Sequence, residues 1–231
     1  MIDAVIFDKD GTLFDFRSSW GVWAENLIAE LATTPDHAIR LGQALGYDVG
    51  LHQFAPDSPV VAMTTPEIAD ILTPQVPDLT LAELMRRMDD LAQAAPMRPA
   101  VDLPAVLGGL QARGLVLGVA TNDTQAAAEA HLAAAAVSGL FDFVAGCDSG
   151  WGGKPAPGQL LAFAAQTGIA PRRCAMVGDS LHDLHAARAA GMYAVAVLTG
   201  VACAATLAPH ADVVLADIGG IAAWIDGIGA A

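Results

Sequence analysis

Short apolar runs alternate with stretches of helical periodicity along much of the chain. The run at residues 4–7 ends in a charged, glycine-containing turn, as buried parallel strands do where they deliver their carboxyl ends to a site. Similar runs predict further strands at residues 115–120, 143–145, 175–177 and 194–198. Helices are predicted between them at residues 103–113, 124–135, 157–167 and 181–190. This alternation predicts an α/β fold class, with helices on both faces of a parallel sheet.

Residues 18–95 have a different pattern, with helical periodicity and almost no strand signal. Four large apolar residues fall on one face of the first helix in this segment: Trp20, Trp23, Leu27 and Leu31. The proline-interrupted stretch at residues 96–99 is typical of a linker. We therefore predict an all-α insertion at residues 16–96, and an α/β core that combines residues 1–15 with residues 97–231.

Composition favours a globular protein without membrane spans. Of the 231 residues 54% are apolar and the mean hydropathy is +0.47, yet no run of about 18 apolar residues is free of charges and helix breakers. The 25 acidic residues outnumber the 11 basic ones, and the formal net charge is -14. Such a surface repels nucleic acids and anionic membranes, so we expect neither as a partner.

The cysteines and the first residues indicate the compartment. Cys147, Cys174 and Cys203 are odd in number, lie far apart and lack the CxxC spacing of a zinc or redox site. Buried, unpaired thiols are typical of a reducing compartment. The apolar run at residues 4–7 is too short and too closely flanked by acidic residues for a signal peptide. The sequence therefore predicts a cytoplasmic protein.

Candidate chemistry begins at the end of the first predicted strand, where the sequence reads Asp8-Lys9-Asp10-Gly11-Thr12. Residues two apart in an extended segment face the same way, so Asp8 and Asp10 can converge while Lys9 points outward. Two such carboxylates can bind a hard cation, and one can act as a nucleophile while the other transfers a proton. Taken alone, the segment can also be an acidic surface turn.

Three further clusters carry matching chemistry. Thr121 and Asn122 lie between a strand and a helix, where a hydroxyl group and backbone amides can hold a phosphate. Lys154, one of only two lysines in the chain, lies after a glycine-rich loop. Asp179 and Asp183 open the last predicted helix one turn apart and face the same way. Singly, each cluster also has a structural explanation, such as a helix cap or a solvated charge.

In this order and spacing, the clusters resemble the motifs of the haloacid dehalogenase (HAD) superfamily. The matching strings are DxDGT at residues 8–12, Thr121-Asn122 after a strand, Lys154-Pro155, and GDxxxD at residues 178–183. The resemblance covers essentially the whole chain, because some members carry a helical cap where this chain has its insertion. It implies a Rossmann-like core with a cap domain at residues 16–96, and it is strongest toward phosphoglycolate phosphatase-like hydrolases.

The resemblance implies hydrolysis of a phosphate monoester through an aspartyl-phosphate. Asp8 would attack the phosphorus, and Asp10 would protonate the leaving alcohol and then accept a proton from the attacking water. Mg2+ would be held by the Asp8 carboxylate, the Asp10 backbone carbonyl, Asp179 and water. Asp183 would bind the metal directly or through water, or would only orient Lys154.

Three residues are implied in phosphate binding. Thr121, the Asn122 backbone amide and Lys154 would neutralise phosphoryl oxygens, as a charge-rich transition state requires. The expected substrate is a compact phosphate monoester, with 2-phosphoglycolate as the leading candidate. Its carboxylate would need a cation, and Arg17, the nearest basic residue after the first motif, is either that anchor or a surface residue at the domain boundary.

The alternative is a phosphomutase of the same superfamily, an isomerase acting on a sugar phosphate. Thr12 favours hydrolysis, since related sugar phosphomutases often have valine there. Lys9 departs from the family, which usually has an apolar residue at this position. His182 is expected on a helix surface, and His131 lies in no motif. The sequence leaves both a monomer and a homodimer open.

Overall fold

Strands and helices alternate through most of the computed structural model, which describes residues 2–55, 57–61 and 63–229. Within these residues the strands are β1 (Ala4–Phe7), β2 (Tyr47–Asp48), β3 (Gln53–Phe54), β4 (Val116–Ala120), β5 (Phe143–Ala145), β6 (Cys174–Gly178), β7 (Tyr193–Val197) and β8 (Val213–Leu215). The helices are α1 (Phe16–Leu31), α2 (Pro35–Leu45), α3 (Thr65–Leu72), α4 (Leu81–Gln93), α5 (Leu103–Ala112), α6 (Gln125–Ala134), α7 (Gly158–Thr167), α8 (Leu181–Ala190), α9 (Ala204–Leu207) and α10 (Ile221–Gly229). In the part of the chain so described, every helix is too short or too polar to cross a bilayer.

Six parallel strands form the main sheet, in the order β5-β4-β1-β6-β7-β8. The central strand β1 pairs with β4 on one side and with β6 on the other, so that Phe7 lies opposite Val119 and Val177. All carboxyl ends of a parallel sheet lie at one edge, and the residues that follow these three strands therefore meet there. The predicted α/β fold class is confirmed, and each predicted strand and helix of the core has its ends within one residue of the prediction.

The side chains of β1 alternate between two hydrophobic clusters. Val5 and Phe7 belong to the cluster that includes the leucines of α5, whereas Ala4 and Ile6 belong to the cluster that includes Phe163 of α7. Successive side chains of a strand point to opposite faces of the sheet. Helices therefore cover both faces and leave the carboxyl edge open for a site.

Between β1 and α5, the insertion builds a further hydrophobic cluster, which also includes Ala127 of the core helix α6. Its buried side chains from α1 to α4 include Trp20, Trp23, Leu27, Leu41, Leu72, Leu84 and Met88. Local signals place the helix ends: Thr80 and Glu83 form a capping box at the start of α4, and Gly46 ends α2 in the left-handed region at a φ of 63°. This separate cluster supports residues 16–96 as a domain, a division that we keep as a proposal.

The insertion is helical apart from one short hairpin. Strands β2 and β3 pair antiparallel, with Tyr47 opposite Phe54. The Asp48 carboxylate closes the turn by accepting hydrogen bonds from the backbone N–H groups of Gly50 and Leu51, both at 2.9 Å. The expectation of an all-α insertion did not include these strands, because two residues are too few to show an alternating pattern.

Candidate active site

The predicted site residues meet at the carboxyl edge of the sheet. Asp8 follows β1, Thr121 follows β4 and Asp179 follows β6. Lys154 reaches the same edge from the loop between β5 and α7. Asp8, Thr121 and Lys154 line a cavity of about 60 Å³ together with Asp10, Asn122, Asp183 and side chains of the insertion. Segments that lie far apart in the sequence thus contribute to one site.

Lys154 joins two of the predicted carboxylates. Its buried Nζ donates hydrogen bonds of 2.6 Å to Asp8 Oδ1 and of 2.6 Å to Asp183 Oδ1. The other oxygen of Asp183 accepts hydrogen bonds from the backbone N–H of Ser180, at 3.0 Å, and from the Ser180 hydroxyl, at 2.7 Å. Asp183 is therefore fixed at the start of α8 and holds Lys154 against Asp8.

The electrostatics of this cluster follow from burial. Burial raises the pKa of Asp8 to about 7, although Lys154 opposes this effect. Burial, with the neighbouring carboxylates of Asp183 and Asp8, raises the pKa of Asp179 well above its ordinary value. Burial alone would lower the pKa of Lys154, but Asp183 and Asp8 outweigh it, so this pKa is raised and the ammonium stays charged. Without a further cation, the carboxyl groups of Asp8 and Asp179 hold protons at pH values where surface aspartates are ionised.

Asp8, Asp179 and Asp183 have the geometry of a cation site. Each offers a carboxylate oxygen, and these three oxygens lie within 4.8 Å of one another. Gly11 makes the approach possible: its φ is 78°, and a Cβ there would lie 2.5 Å from Asp179 Oδ2. A dense set of hard oxygen donors with excess negative charge suits Mg2+. The residues present therefore fit the divalent metal that the sequence predicts.

Asn122 positions the lysine loop. Its side-chain amide donates to the Lys154 carbonyl oxygen at 2.9 Å, and its Oδ1 accepts from the Lys154 backbone N–H at 2.7 Å. Thr121 is buried, and its Oγ1 accepts a hydrogen bond of 3.1 Å from the Asp123 backbone N–H. The structure brings both residues to the cavity, where phosphate binding by them stays a prediction.

Lys9 does not point outward as its position in the strand predicts. It is fully buried, and its Nζ lies 2.9 Å from Asp10 Oδ1, 3.1 Å from Asp123 Oδ2 and 3.0 Å from His131 Nδ1. The chain leaves the extended conformation at the Gly11 turn, and the long lysine side chain can then fold back toward Asp10. The ammonium lies among groups that accept hydrogen bonds, which makes its burial possible.

His131 and Asp123 complete this second cluster, and neither was in the predicted site. The His131 Nε2–H donates to the carbonyl oxygen of Ala92, at 2.7 Å, while Nδ1 accepts from Lys9. Burial and the charge of Lys9 lower the pKa of His131 to about 4, so the ring is neutral at neutral pH. Burial raises the pKa of Asp123 to about 6, against the opposing charge of Lys9. No sequence motif marks either residue; only the charge of Asp123, directly after Asn122, hints at a role.

Arg17 lies away from this cavity. Its side chain is exposed, and it lines a separate depression with Arg98, Leu198 and Thr199. The geometry therefore favours the second sequence interpretation, a surface arginine at the domain boundary. The first residue of α1, Phe16, is buried in the insertion, and the helix then turns the next side chain toward solvent.

Three other residues have more contact with the cavity than the sequence suggests. His182 is half-buried and lines the cavity, instead of lying on an outer helix surface. Trp20 and Trp23 are buried in the hydrophobic cluster of the insertion and also line the cavity. Each tryptophan therefore contributes to the packing of the insertion and also faces the site.

The family model that describes haloacid dehalogenase-like hydrolases matches residues 2–191. The chain belongs to this family. The resemblance inferred from the four motif clusters is therefore confirmed, and so is the prediction that the protein is a hydrolase. In this HAD-like hydrolase, Asp8, Thr121 and Asp179 of the motifs follow the central strands, and Asp8, Asp10, Thr121, Asn122, Lys154 and Asp183 line the cavity.

Proteins similar to this chain bear phosphatase names. "Probable phosphatase IndB" from Dickeya dadantii (strain 3937) is 32% identical over 206 residues, which are 85% of this chain and 81% of that protein. The phosphoglycolate phosphatase of Escherichia coli (strain K12) is 42% identical over 94 residues, 41% of this chain and 37% of that protein. The fold is shared with the crystal structure of a predicted phosphoglycolate phosphatase from Haemophilus somnus 129PT, at a TM-score of 0.73, 18% identity and coverage of 97% and 98% of the two chains. These relatives support the predicted phosphatase class.

Replacing Lys9 tests how much its buried ammonium group contributes to the stability of the fold. Lys9→Met should lower the free energy of unfolding by about 3 to 5 kcal/mol, because it leaves Asp10 and Asp123 buried without their cation. Urea denaturation of Lys9→Met and of Lys9→Met/Asp123→Asn measures this, and the second substitution should recover part of the loss. The matched control is Arg86→Met, which breaks the exposed ion pair with Asp90 and should cost about 1 kcal/mol or less. Equal losses in Lys9→Met and Arg86→Met would contradict the buried network.

A second prediction concerns pH and metal. Some carboxyl groups have a higher pKa in the folded protein than in the unfolded chain. The stability that such a group contributes is fully present below its unfolded-state pKa of about 4, and it is lost as the pH rises through its folded-state pKa. In EDTA, the melting temperature of the wild type should therefore fall as the pH rises to about 7, the pKa of Asp8. Asp179→Asn should show a smaller fall and lose the stabilisation by Mg2+, whereas exposed Asp78→Asn should behave like the wild type. Unchanged Mg2+ stabilisation of Asp179→Asn would exclude Asp179 as a ligand.

Proposed function

We propose that this HAD-like hydrolase is a Mg2+-dependent phosphatase that hydrolyses a compact phosphate monoester through an aspartyl-phosphate. The observation that carries the proposal is the buried contact of Lys154 with Asp8 and Asp183, beside Asp179. A carboxylate nucleophile, an ammonium group and a set of metal-binding oxygens thus meet at one cavity, which Asp10 also lines. The phosphatase names of the relatives agree with this assignment.

In the first step, an Asp8 oxygen attacks the phosphorus while the bond from phosphorus to the leaving alcohol oxygen breaks. Asp10 donates a proton to that oxygen, so the alcohol leaves in neutral form. Lys154 and Thr121 neutralise phosphoryl oxygens. Mg2+, when bound by the carboxylates of Asp8 and Asp179 and the backbone carbonyl of Asp10, supplies positive charge to the phosphoryl group.

In the second step, water hydrolyses the aspartyl-phosphate. Asp10, now ionised, accepts a proton from the water as its oxygen attacks the phosphorus, and the Asp8 carboxylate is released with inorganic phosphate. Asp183 orients Lys154 in both steps, since its two oxygens contact Lys154 and Ser180. The side chains of the insertion that line the cavity displace water from part of the space beside Asp8.

The nucleophile is tested with Asp8→Asn. An amide oxygen is a poor nucleophile and a weaker ligand, so turnover of p-nitrophenyl phosphate with Mg2+ should fall by at least about a thousandfold. Hydrolysis in water enriched in 18O should place the label in inorganic phosphate, and EDTA should abolish the reaction. Turnover by Asp8→Asn at the wild-type rate would disprove the nucleophile, and conversion of a sugar phosphate to its isomer without phosphate release would identify the phosphomutase instead.

The general acid is tested with Asp10→Asn. Only the backbone carbonyl of residue 10 is assigned to the metal, so this variant should keep Mg2+-dependent thermal stabilisation. It should lose about 100-fold to 10,000-fold in turnover of an alkyl phosphate, because the departing alkoxide needs a proton. The loss should be smaller for p-nitrophenyl phosphate, whose leaving group is stable without one. If Asp10→Asn lost the same factor in turnover on both esters, Asp10 would not be the proton donor.

A further inference from the structure

The insertion gives the cavity an apolar wall. Two tryptophans and six aliphatic, alanine or methionine side chains line it from this side, among them Trp20, Trp23, Met63, Ile68 and Met88. Within the described residues, Thr65 is the one residue of the insertion with a hydroxyl group that lines the cavity. The leaving group of a substrate whose phosphorus lies beside Asp8 therefore extends toward a wall of mostly carbon and sulfur atoms. Besides the Thr65 hydroxyl, the polar groups of this wall include the Nε1–H of Trp20, which is buried and has no hydrogen-bond partner among the described residues.

The two lysines are not available to a second anionic group. Lys154 contacts Asp8 and Asp183, and Lys9 contacts Asp10 and Asp123. Each ammonium thus already faces two carboxylates of the site. A substrate carboxylate would compete with these carboxylates for the same positive charge.

The arginines of the insertion face away from the cavity. Arg86 pairs with Asp90 and Arg87 pairs with Glu30, while Arg40 is exposed. Among the described residues, none of these arginines lines the cavity. The arginines at the domain boundary, Arg17 and Arg98, line the separate depression instead. Within the part of the chain that the structure describes, no guanidinium group therefore lines the cavity, where it could bind a carboxylate on the leaving group.

His182 is the remaining basic side chain at the cavity, and an acidic residue lies near it. The pKa of Glu67 is lowered mainly by hydrogen bonds from Thr64 and also by the charge of His182 when protonated. The cavity also has Asp8, Asp10, Asp123 and Asp183 in its lining, which would repel a second anion.

We propose that the substrate is the phosphate ester of an uncharged, apolar alcohol, with a branched aliphatic or aromatic end; this rests on the phosphatase function proposed above. A carboxylate against the apolar wall would lose its hydration and gain no cation, whereas an apolar group would be buried favourably. The substrate class differs from 2-phosphoglycolate, the leading candidate by resemblance.

A matched pair of substrates tests this directly on the full-length enzyme with Mg2+. Isobutyl phosphate and 2-phosphoglycolate have leaving groups with the same number of heavy atoms and the same branching, but two methyl groups of the first replace the carboxylate oxygens of the second. The kcat/KM for isobutyl phosphate should be higher by about tenfold or more, since an unpaired buried charge costs more than one lost hydrogen bond. p-Nitrophenyl phosphate serves as the measure of phosphatase activity as such.

A cation added to the wall should change the preference. Met63 lines the cavity and is 43% exposed, so Met63→Arg can place a guanidinium group there without burying it in the hydrophobic cluster. The ratio of kcat/KM for 2-phosphoglycolate to that for isobutyl phosphate should rise by about tenfold or more. The matched control is Leu51→Arg, which adds the same charge to the insertion at a side chain that is 69% exposed and lies outside the cavity. Its ratio should equal that of the wild type.

The outcomes separate the two proposals. Preference of the wild type for 2-phosphoglycolate, or turnover of p-nitrophenyl phosphate with neither member of the pair, would overturn the apolar substrate class and leave the phosphatase function standing. Absence of turnover on all three esters, in protein that Mg2+ stabilises thermally, would overturn both. The wild-type comparison needs no variant, so it remains decisive if Met63→Arg does not fold.

Discussion

Two buried ammonium groups make this site possible. Five carboxylates collect at the carboxyl edge of the sheet; those of Asp8, Asp123, Asp179 and Asp183 are buried, and burying a charge without a partner is costly. Lys154 contacts Asp8 and Asp183, while Lys9 contacts Asp10 and Asp123. Asp179 lies beside Asp8 and Asp183, so three carboxylates surround the single ammonium group of Lys154. When all three are ionised, two negative charges remain uncompensated. This excess equals the charge of one divalent cation, and it explains why the donor set fits a metal.

The second pair connects the chemistry to the insertion. Lys9 contacts the ring of His131, and His131 donates to the carbonyl oxygen of Ala92 at the end of α4. The Thr124 hydroxyl, at the start of α6, donates to Asp89 of the same helix α4. Since Met88 and Ala92 of α4 also line the cavity, the position of the apolar wall and the position of the Lys9 cluster depend on the same contacts.

The sequence predicts where the ends of strands lie better than it predicts where a long side chain points. A parallel sheet places all carboxyl ends at one edge, so Asp8, Thr121 and Asp179 could be placed together from the apolar runs before them. Lys9 could not, because the alternation of a strand describes Cβ directions, while a four-carbon side chain folds back after a turn. The half-buried edge strand β8 was missed for a similar local reason: three residues with no fully buried side chain give a weak apolar signal.

The insertion shows the same limit. Its helices follow from caps and apolar periodicity, but which of its side chains face the site depends on packing between helices that no spacing describes. Trp20 shows both roles, because it belongs to the hydrophobic cluster, lines the cavity, and has its ring 5.3 Å from Lys9 Nζ. Arg17 shows the converse, since its closeness to the first motif in sequence gives it no place at the cavity.

Scarcity of positive charge links composition to specificity. The chain has a formal net charge of -14 and only two lysines, both committed to carboxylates of the site. A further cation in the wall would need a carboxylate partner of its own, or it would compete for Asp8 and Asp10, the groups to which we assign the chemistry. An apolar wall avoids this competition, because it binds a leaving group through burial alone and leaves the charges of the catalytic groups unchanged. The same constraint that holds Asp8 and Asp10 in place therefore favours selection of the substrate by its apolar surface.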